Sequence, residues 1–129
     1  MKRVKRVLLW LMGLFYVWAG INHFRAPDFY LPMMPPYLPW HEALVLLSGV
    51  AEVAVGVGVL IPQTRVIAAW ATIAVLLAVY PANIHVALND VPIGDPPQAL
   101  GAMNYVRLPF QFLLIAWAWW YTRPDPNLA

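Results

Sequence analysis

Cysteine is absent from the 129 residues, which removes disulfide frameworks, thiolate metal sites, cysteine-held iron–sulfur clusters and dithiol relays together. Charge is scarce too. Asp, Glu, Lys and Arg make up 11% of the chain, against about 25% in a soluble domain of ordinary composition. What fills the chain instead is apolar: 62% hydrophobic residues, seven Trp and a mean hydropathy of +0.64. The one pair of adjacent methionines, Met33-Met34, has no His or further Met at ligand spacing, so it reads as a soft apolar contact and no metal site is expected.

Four apolar stretches, Val7–Phe24, Ala43–Ile61, Val66–Ala87 and Tyr105–Tyr121, each approach the roughly 20 residues that a helix needs to cross about 30 Å of hydrocarbon. They predict an all-α, integral membrane four-helix bundle that occupies residues 1–129 as a single domain, multi-pass in a bacterial inner (plasma) membrane. Orientation follows from Lys and Arg, which are retained on the cytoplasmic side during insertion. Lys2, Arg3, Lys5 and Arg6 precede the first span, Arg65 joins the second to the third, and Arg123 follows the fourth, so all six fall on one side. The opposite side carries Arg25 with Asp28, Asp90 and Asp95. Both termini are therefore expected in the cytoplasm. The basic start reads as this retention signal plus attraction to anionic headgroups, not as a nucleic-acid patch. A cleavable signal peptide is the alternative for the first span, but no A-x-A-like site ends it.

The two outer connections are long and rich in proline. Arg25 to Trp40 holds Pro27, Pro32, Pro35, Pro36 and Pro39 among large apolar side chains, too apolar for a solvated linker and too broken for a helix. It reads either as a lid in the outer interface or as a connection that prolines merely keep irregular. The second, Leu88–Asn104, looks wetter.

Six polar or ionisable side chains sit within or at the outer ends of the spans: His23, Glu52, Asn83, His85, Arg107 and Gln111. In hydrocarbon such groups are held at a cost unless they pair, line a cavity or act. At 1.5 Å of rise per residue Glu52 lies about 14 Å deep, Gln111 about 9 Å, and the others nearer the outer end. Arg107 and Gln111, four apart, share a helix face, whereas Asn83 and His85, two apart, do not. Glu52 needs a proton or a cation, and Arg107 is its natural partner, with His23 or His85 as alternatives. The bland readings are a bundle-clamping ion pair for Glu52 and interhelical hydrogen bonds for Asn83 and Gln111. The sharp reading makes Glu52, His23, His85 and Arg107 catalytic and Asn83, Gln111, Tyr80 and Asn22 ligand-binding. Asn22-His23 and Asn83-Ile84-His85, each followed by a proline-bearing loop and a span with a polar residue, also suggest a parallel repeat with a site at its junction. Small residues on the second span, Gly49, Gly56 and Gly58, and Gly13 and Gly20 on the first, suit close helix packing.

The run Ala19-Gly20-Ile21-Asn22-His23-Phe24, the Gly49-x-x-Glu52 element, Pro81-Ala82-Asn83-Ile84-His85 and Arg107-x-Pro109-x-Gln111 resemble, in order and over nearly the whole chain, the DoxX family of small four-helix membrane proteins. That resemblance implies a four-helix membrane bundle. Relatives include the DoxD-type subunit of a thiosulfate:quinone oxidoreductase and proteins of membrane-associated redox complexes, while other branches serve maturation or chaperoning of membrane proteins.

Three functions follow as expectations. In the first, a redox-linked subunit binds a quinone or similar small apolar ligand in an outer-half pocket: His23, His85 and Arg107 donate hydrogen bonds, Glu52 relays a proton, and a redox partner protein or bound cofactor supplies electrons. Haem on the two histidines is disfavoured, because neither is deeply or symmetrically placed. In the second, the bundle is a non-catalytic scaffold or assembly factor. In the third, it is a proton-coupled small-ligand transporter titrating at Glu52, for which four spans ask for a homo-oligomer.

Overall fold

The structure is a computed structural model, and it describes residues 2–94 and 96–128. Asp95, counted above among the outer acidic residues, lies outside the described residues. The described chain is all-α. Its helices are α1 (Lys2–Arg25), α2 (Pro27–Tyr30), α3 (His41–Leu60), α4 (Arg65–Asn89) and α5 (Met103–Trp119), with short 3-10 turns at Leu31–Met33 and Pro126–Leu128. By length and composition α1, α3 and α4 are long and apolar enough to cross a membrane. The fourth apolar stretch, expected at Tyr105–Tyr121, keeps its length as a helix but starts two residues earlier: the 17 residues of α5 span about 25 Å.

Proline decides where the helices break. Pro27 forces Ala26 out of the helical region (φ −138°, ψ 61°), so α1 stops at Arg25, and the same proline then occupies the first turn of α2. The connection between α1 and α3, expected to be too broken for a helix, therefore holds one turn of α-helix and a 3-10 turn. It folds over α1, α3 and α4 but does not reach α5. The second connection closes on itself through an isolated antiparallel bridge, Ile93 with Gln98, around Gly94 at φ +96°.

Two glycine pairs bring α1 against α3. A β-carbon on Gly20 would lie 2.5 Å from the Gly49 carbonyl oxygen, and one on Gly56 would lie 2.7 Å from that of Gly13. Seven residues separate the glycines on each helix, so the antiparallel helices interlock twice along one seam. α3 then packs on α4 and α4 on α5. At the level of the backbone the circle does not close, although side chains of α1 and α5 join one apolar core. The Cα atoms of α1 and α5 nowhere come within 8 Å of each other.

The C-terminal segment closes that gap at one end only, called here the tail end. Tyr121 donates to the Lys5 carbonyl at 2.8 Å, Lys5 pairs with Asp125 at 2.9 Å beneath the Trp120 ring, and Arg6 donates to the Asn127 carbonyl. Arg65, buried at 8% exposure, sends Nε to the Val59 carbonyl (2.7 Å), Nη2 to that of Leu60 (3.2 Å) and Nη1 to that of Leu128 (3.0 Å). One guanidinium thus satisfies the last carbonyls of α3 and holds the tail.

The Lys5 hydrogen bond, with a further one from the Asn127 backbone, holds the Asp125 carboxyl below its ordinary 3.8. A depressed carboxylate pKa adds tail docking that is full above pH 3.8 and lost as pH falls through the lower folded value. The emission of Trp120, over whose ring Lys5 lies, read as the difference between wild-type and Trp120→Phe protein, should therefore stay constant through mildly acid pH and change only below that value. A change already at neutral pH would show that the pair does not hold the tail.

Polarity is inverted relative to a soluble bundle. Trp10, Leu14, Phe15 and Trp18 on α1, Ile67 and Leu77 on α4, and Phe112 and Leu113 on α5 are all exposed, while His23, Arg65, Thr72, Asn104 and Gln111 are buried.

Candidate functional site

Each long helix turns one stripe at helical spacing toward a common chamber at the end away from the tail. On α1 the stripe is Tyr16, Ala19 and His23; on α3, Val45, Ser48 and Glu52. On α4 it is Leu76, Val79 and Asn83; on α5, Arg107, Gln111 and Leu114. Offsets of three, four and seven put such residues on one face. Tyr30, Met33 and Met34, from α2 and the turn after it, cover the chamber like a lid. The chamber is half open and has a volume of about 270 Å³.

Its centre is an acid–base pair. His23 Nε2 lies 2.9 Å from Glu52 Oε2, and His23 Nδ1 lies 2.9 Å from the Val45 carbonyl oxygen. A carbonyl only accepts, so Nδ1 carries a proton. The Nε2–Oε2 contact must then hold a second proton, on the ring or on the carboxyl, because a bare lone pair facing a carboxylate at that distance is repulsive. Either placement leaves the pair with no net charge. Its geometry as an N–H donor bond is poor, for Oε2 is buried without a well-aligned hydrogen bond. The glycine seam makes the pair: His23 follows Gly20 by three residues, Glu52 follows Gly49 by three, and a β-carbon on Gly49 would sit 2.7 Å from that of His23.

Around this pair the other groups differ in how far they are occupied. Gln111 donates to the Leu76 carbonyl at 2.7 Å, in the turn of α4 that Pro81 disturbs. Its amide oxygen remains open to the chamber. Tyr16 is buried with its hydroxyl lacking any partner. Arg107 lines the chamber and, among the described residues, has no carboxylate within 4.0 Å. The expectation that Arg107 neutralises Glu52 is thus corrected: α3 packs against α1, and His23 takes the carboxylate.

Of the remaining expected site residues, Asn83 lies in the wall and three do not. His85 turns to Asn89, whose side chain lies 3.0 Å from its Nδ1, because two residues along a helix rotate it away from the face of Asn83. Tyr80 donates to the Leu108 carbonyl at 3.3 Å and tilts against Phe112. Asn22 donates to the Tyr30 hydroxyl at 2.9 Å, which seats the Tyr30 ring on the His23 imidazole, 3.9 Å between centroids and 22° from parallel. It is a positioning residue for the lid. Sequence reasoning passed over Tyr16 and Tyr30. For Tyr16 a signal existed, since it lies seven residues before His23.

A family model for a domain of unknown function, DUF8561, matches residues 12–122. The chain belongs to that family. The matched region takes in all four long helices and the whole chamber, leaving out the first turns of α1 and the end of the tail. This finding overturns the DoxX resemblance. The four elements that carried it combine small residues or prolines with one or two polar side chains in an apolar helix, and close packing around buried polar groups imposes that combination on unrelated bundles. No curated protein and no solved structure matches the chain. The thiosulfate and redox-complex associations leave with DoxX, and a quinone ligand now stands on the chemistry of the chamber alone.

Proposed function

We propose that this DUF8561 protein is an integral membrane four-helix bundle, with both termini in the cytoplasm, that binds a small lipid-soluble ligand in the chamber of its outer half. Three helices of spanning length, large apolar residues on the outside and basic residues gathered at the tail end support the membrane reading. One observation carries the binding reading: five costly polar groups from four helices, with the unpartnered Tyr16 hydroxyl, surround a void instead of saturating one another.

The ligand head that suits this lining is flat and bears hydrogen-bond acceptors, as a quinone ring does. With the His23–Glu52 pair neutral, the Arg107 guanidinium leaves the chamber one positive charge, which favours an electron-rich oxygen. Arg107 and Tyr16 donate to it, the Met33 and Met34 side chains face the ring, and His23 with Glu52 holds a proton within the same space. In a redox-linked setting the electrons belong to a partner protein.

Thermal melts in detergent with a ubiquinone analogue test the proposal. A ligand at a hundred times its Kd adds about 2.7 kcal/mol and raises the melting temperature by several degrees. Glu52→Gln and Arg107→Ala should each abolish that rise, and Glu52→Gln, nearly isosteric, should still fold. Wild-type protein indifferent to every quinone offered would count against the chamber as their site.

A further inference from the structure

From the unclosed side of the bundle we infer that the ligand reaches the chamber from the lipid phase, between α1 and α5, and that it carries an apolar tail that stays in that opening. The inference rests on the binding reading above and names the class of molecule: a ring-sized polar head on a hydrocarbon or prenyl chain.

Four observations converge on it. The chamber is covered toward the loops by Tyr30, Met33 and Met34, and the backbone of α2 and the 3-10 turn lies against α1, α3 and α4 but nowhere within 8 Å of that of α5. At the opposite end the tail shuts the gap through Tyr121, Lys5, Asp125 and Arg65. Between these closures the backbones of α1 and α5 nowhere come within 8 Å, so side chains alone separate the chamber from the outside there, Phe15, 46% exposed, and the half-buried Leu114 among them. Volume gives the last argument: about 270 Å³ lies below the roughly 300–1,000 Å³ of pockets that bury a whole drug-sized ligand, so it suits a substituted ring and not a long chain as well. A tailed molecule must leave its tail outside, and the one unclosed side faces the hydrocarbon that such a tail prefers.

The test compares the tail-free ubiquinone ring with its decyl-tailed analogue on wild-type protein, Leu114→Trp and Phe15→Trp in the same detergent. Partition of the tail into the micelle cancels when the ratio of the two affinities is compared between variants. In wild type the tailed analogue binds more tightly. The tryptophan variants should lower the ratio at least tenfold, with the tail-free ring serving as the reference for any change they make in the chamber itself. Two variants from different helices guard against one failing to fold. An unchanged ratio with both analogues bound would overturn lateral entry and leave the chamber standing, whereas binding of neither would sink the chamber reading and lateral entry with it. A stable dimer in native mass spectra that Leu114→Trp dissociates would overturn the inference by assigning the opening to a second copy of the chain.

Discussion

Gly49→Leu will separate α1 from α3 and remove the folded bundle from detergent. A β-carbon at this position already meets the Gly20 carbonyl oxygen at 2.8 Å and the His23 β-carbon at 2.7 Å, and backbone cannot step aside as a flexible side chain can. Overpacking costs about 1–3 kcal/mol where side chains give way, and a clash with helical backbone belongs at or above the top of that range, about 3–5 kcal/mol. On the proposed membrane reading the loss is not recovered elsewhere, since helices in lipid associate through close packing with little hydrophobic drive. Gly49→Ala makes the same contact with one carbon and should cost about 1–3 kcal/mol. Because that carbon pushes on His23, it should also abolish ligand-dependent stabilisation in protein that still folds. Val57→Ala, on an exposed part of α3, serves as control and should change the melt by less than a degree or two. A Gly49→Leu protein with a wild-type melting temperature would mean that α1 and α3 do not meet through these glycines.

The second large effect falls at the tail end. Arg65→Ala takes charge-assisted donors from the carbonyls of Val59, Leu60 and Leu128, each bond contributing roughly 1.5–3 kcal/mol where no other donor replaces it. Water at the tail end will restore part of this, so a net loss of about 3 kcal/mol is expected. Arg65→Lys should recover only a fraction, for a single ammonium cannot copy three directions of a planar fork. The native chain has no cysteine, so a Leu128→Cys reporter gives a clean readout: Leu128 is buried, and maleimide should reach the reporter slowly beside Arg65 and quickly beside Arg65→Ala. Equal rates would remove Arg65 from the account of how the tail is held.

Helix existence was legible because apolar runs of spanning length leave few alternatives, but helix ends were less so. Lys2 to Arg6 were read as a charged leader to the first span, yet they are helical, because Lys and Arg are good helix formers and nothing before Pro27 stops α1. In the first loop the density of proline hid one helical turn, which a proline in the first position favours. The convergence of polar groups was anticipated from their cost in hydrocarbon, and the partner of Glu52 was misassigned for a definable reason. Depth along a helix can be counted from sequence, but facing cannot be deduced from depth, and Arg107 was chosen on reach. The glycine spacing carried the missing information: equal seven-residue intervals on α1 and α3 fix which helices touch and in which register, and three residues beyond the facing pair stand His23 and Glu52. Nothing comparable in the sequence marks the unclosed side of the bundle, which follows from α5 packing on α4 alone.

That mooring has a mechanical consequence. The extremity of α5 that bears Arg107 is moored to α4 alone, through Asn104 to the Asp90 carboxylate and through Tyr80 to the Leu108 carbonyl, and Pro109 removes a backbone bond just beyond Arg107. A swing of that extremity relative to α1 therefore carries the end of α4 with it. Such a swing widens or narrows the mouth and carries the guanidinium toward or away from its guest, while the imidazole and carboxylate, fixed by two interlocked helices, keep their mutual distance throughout.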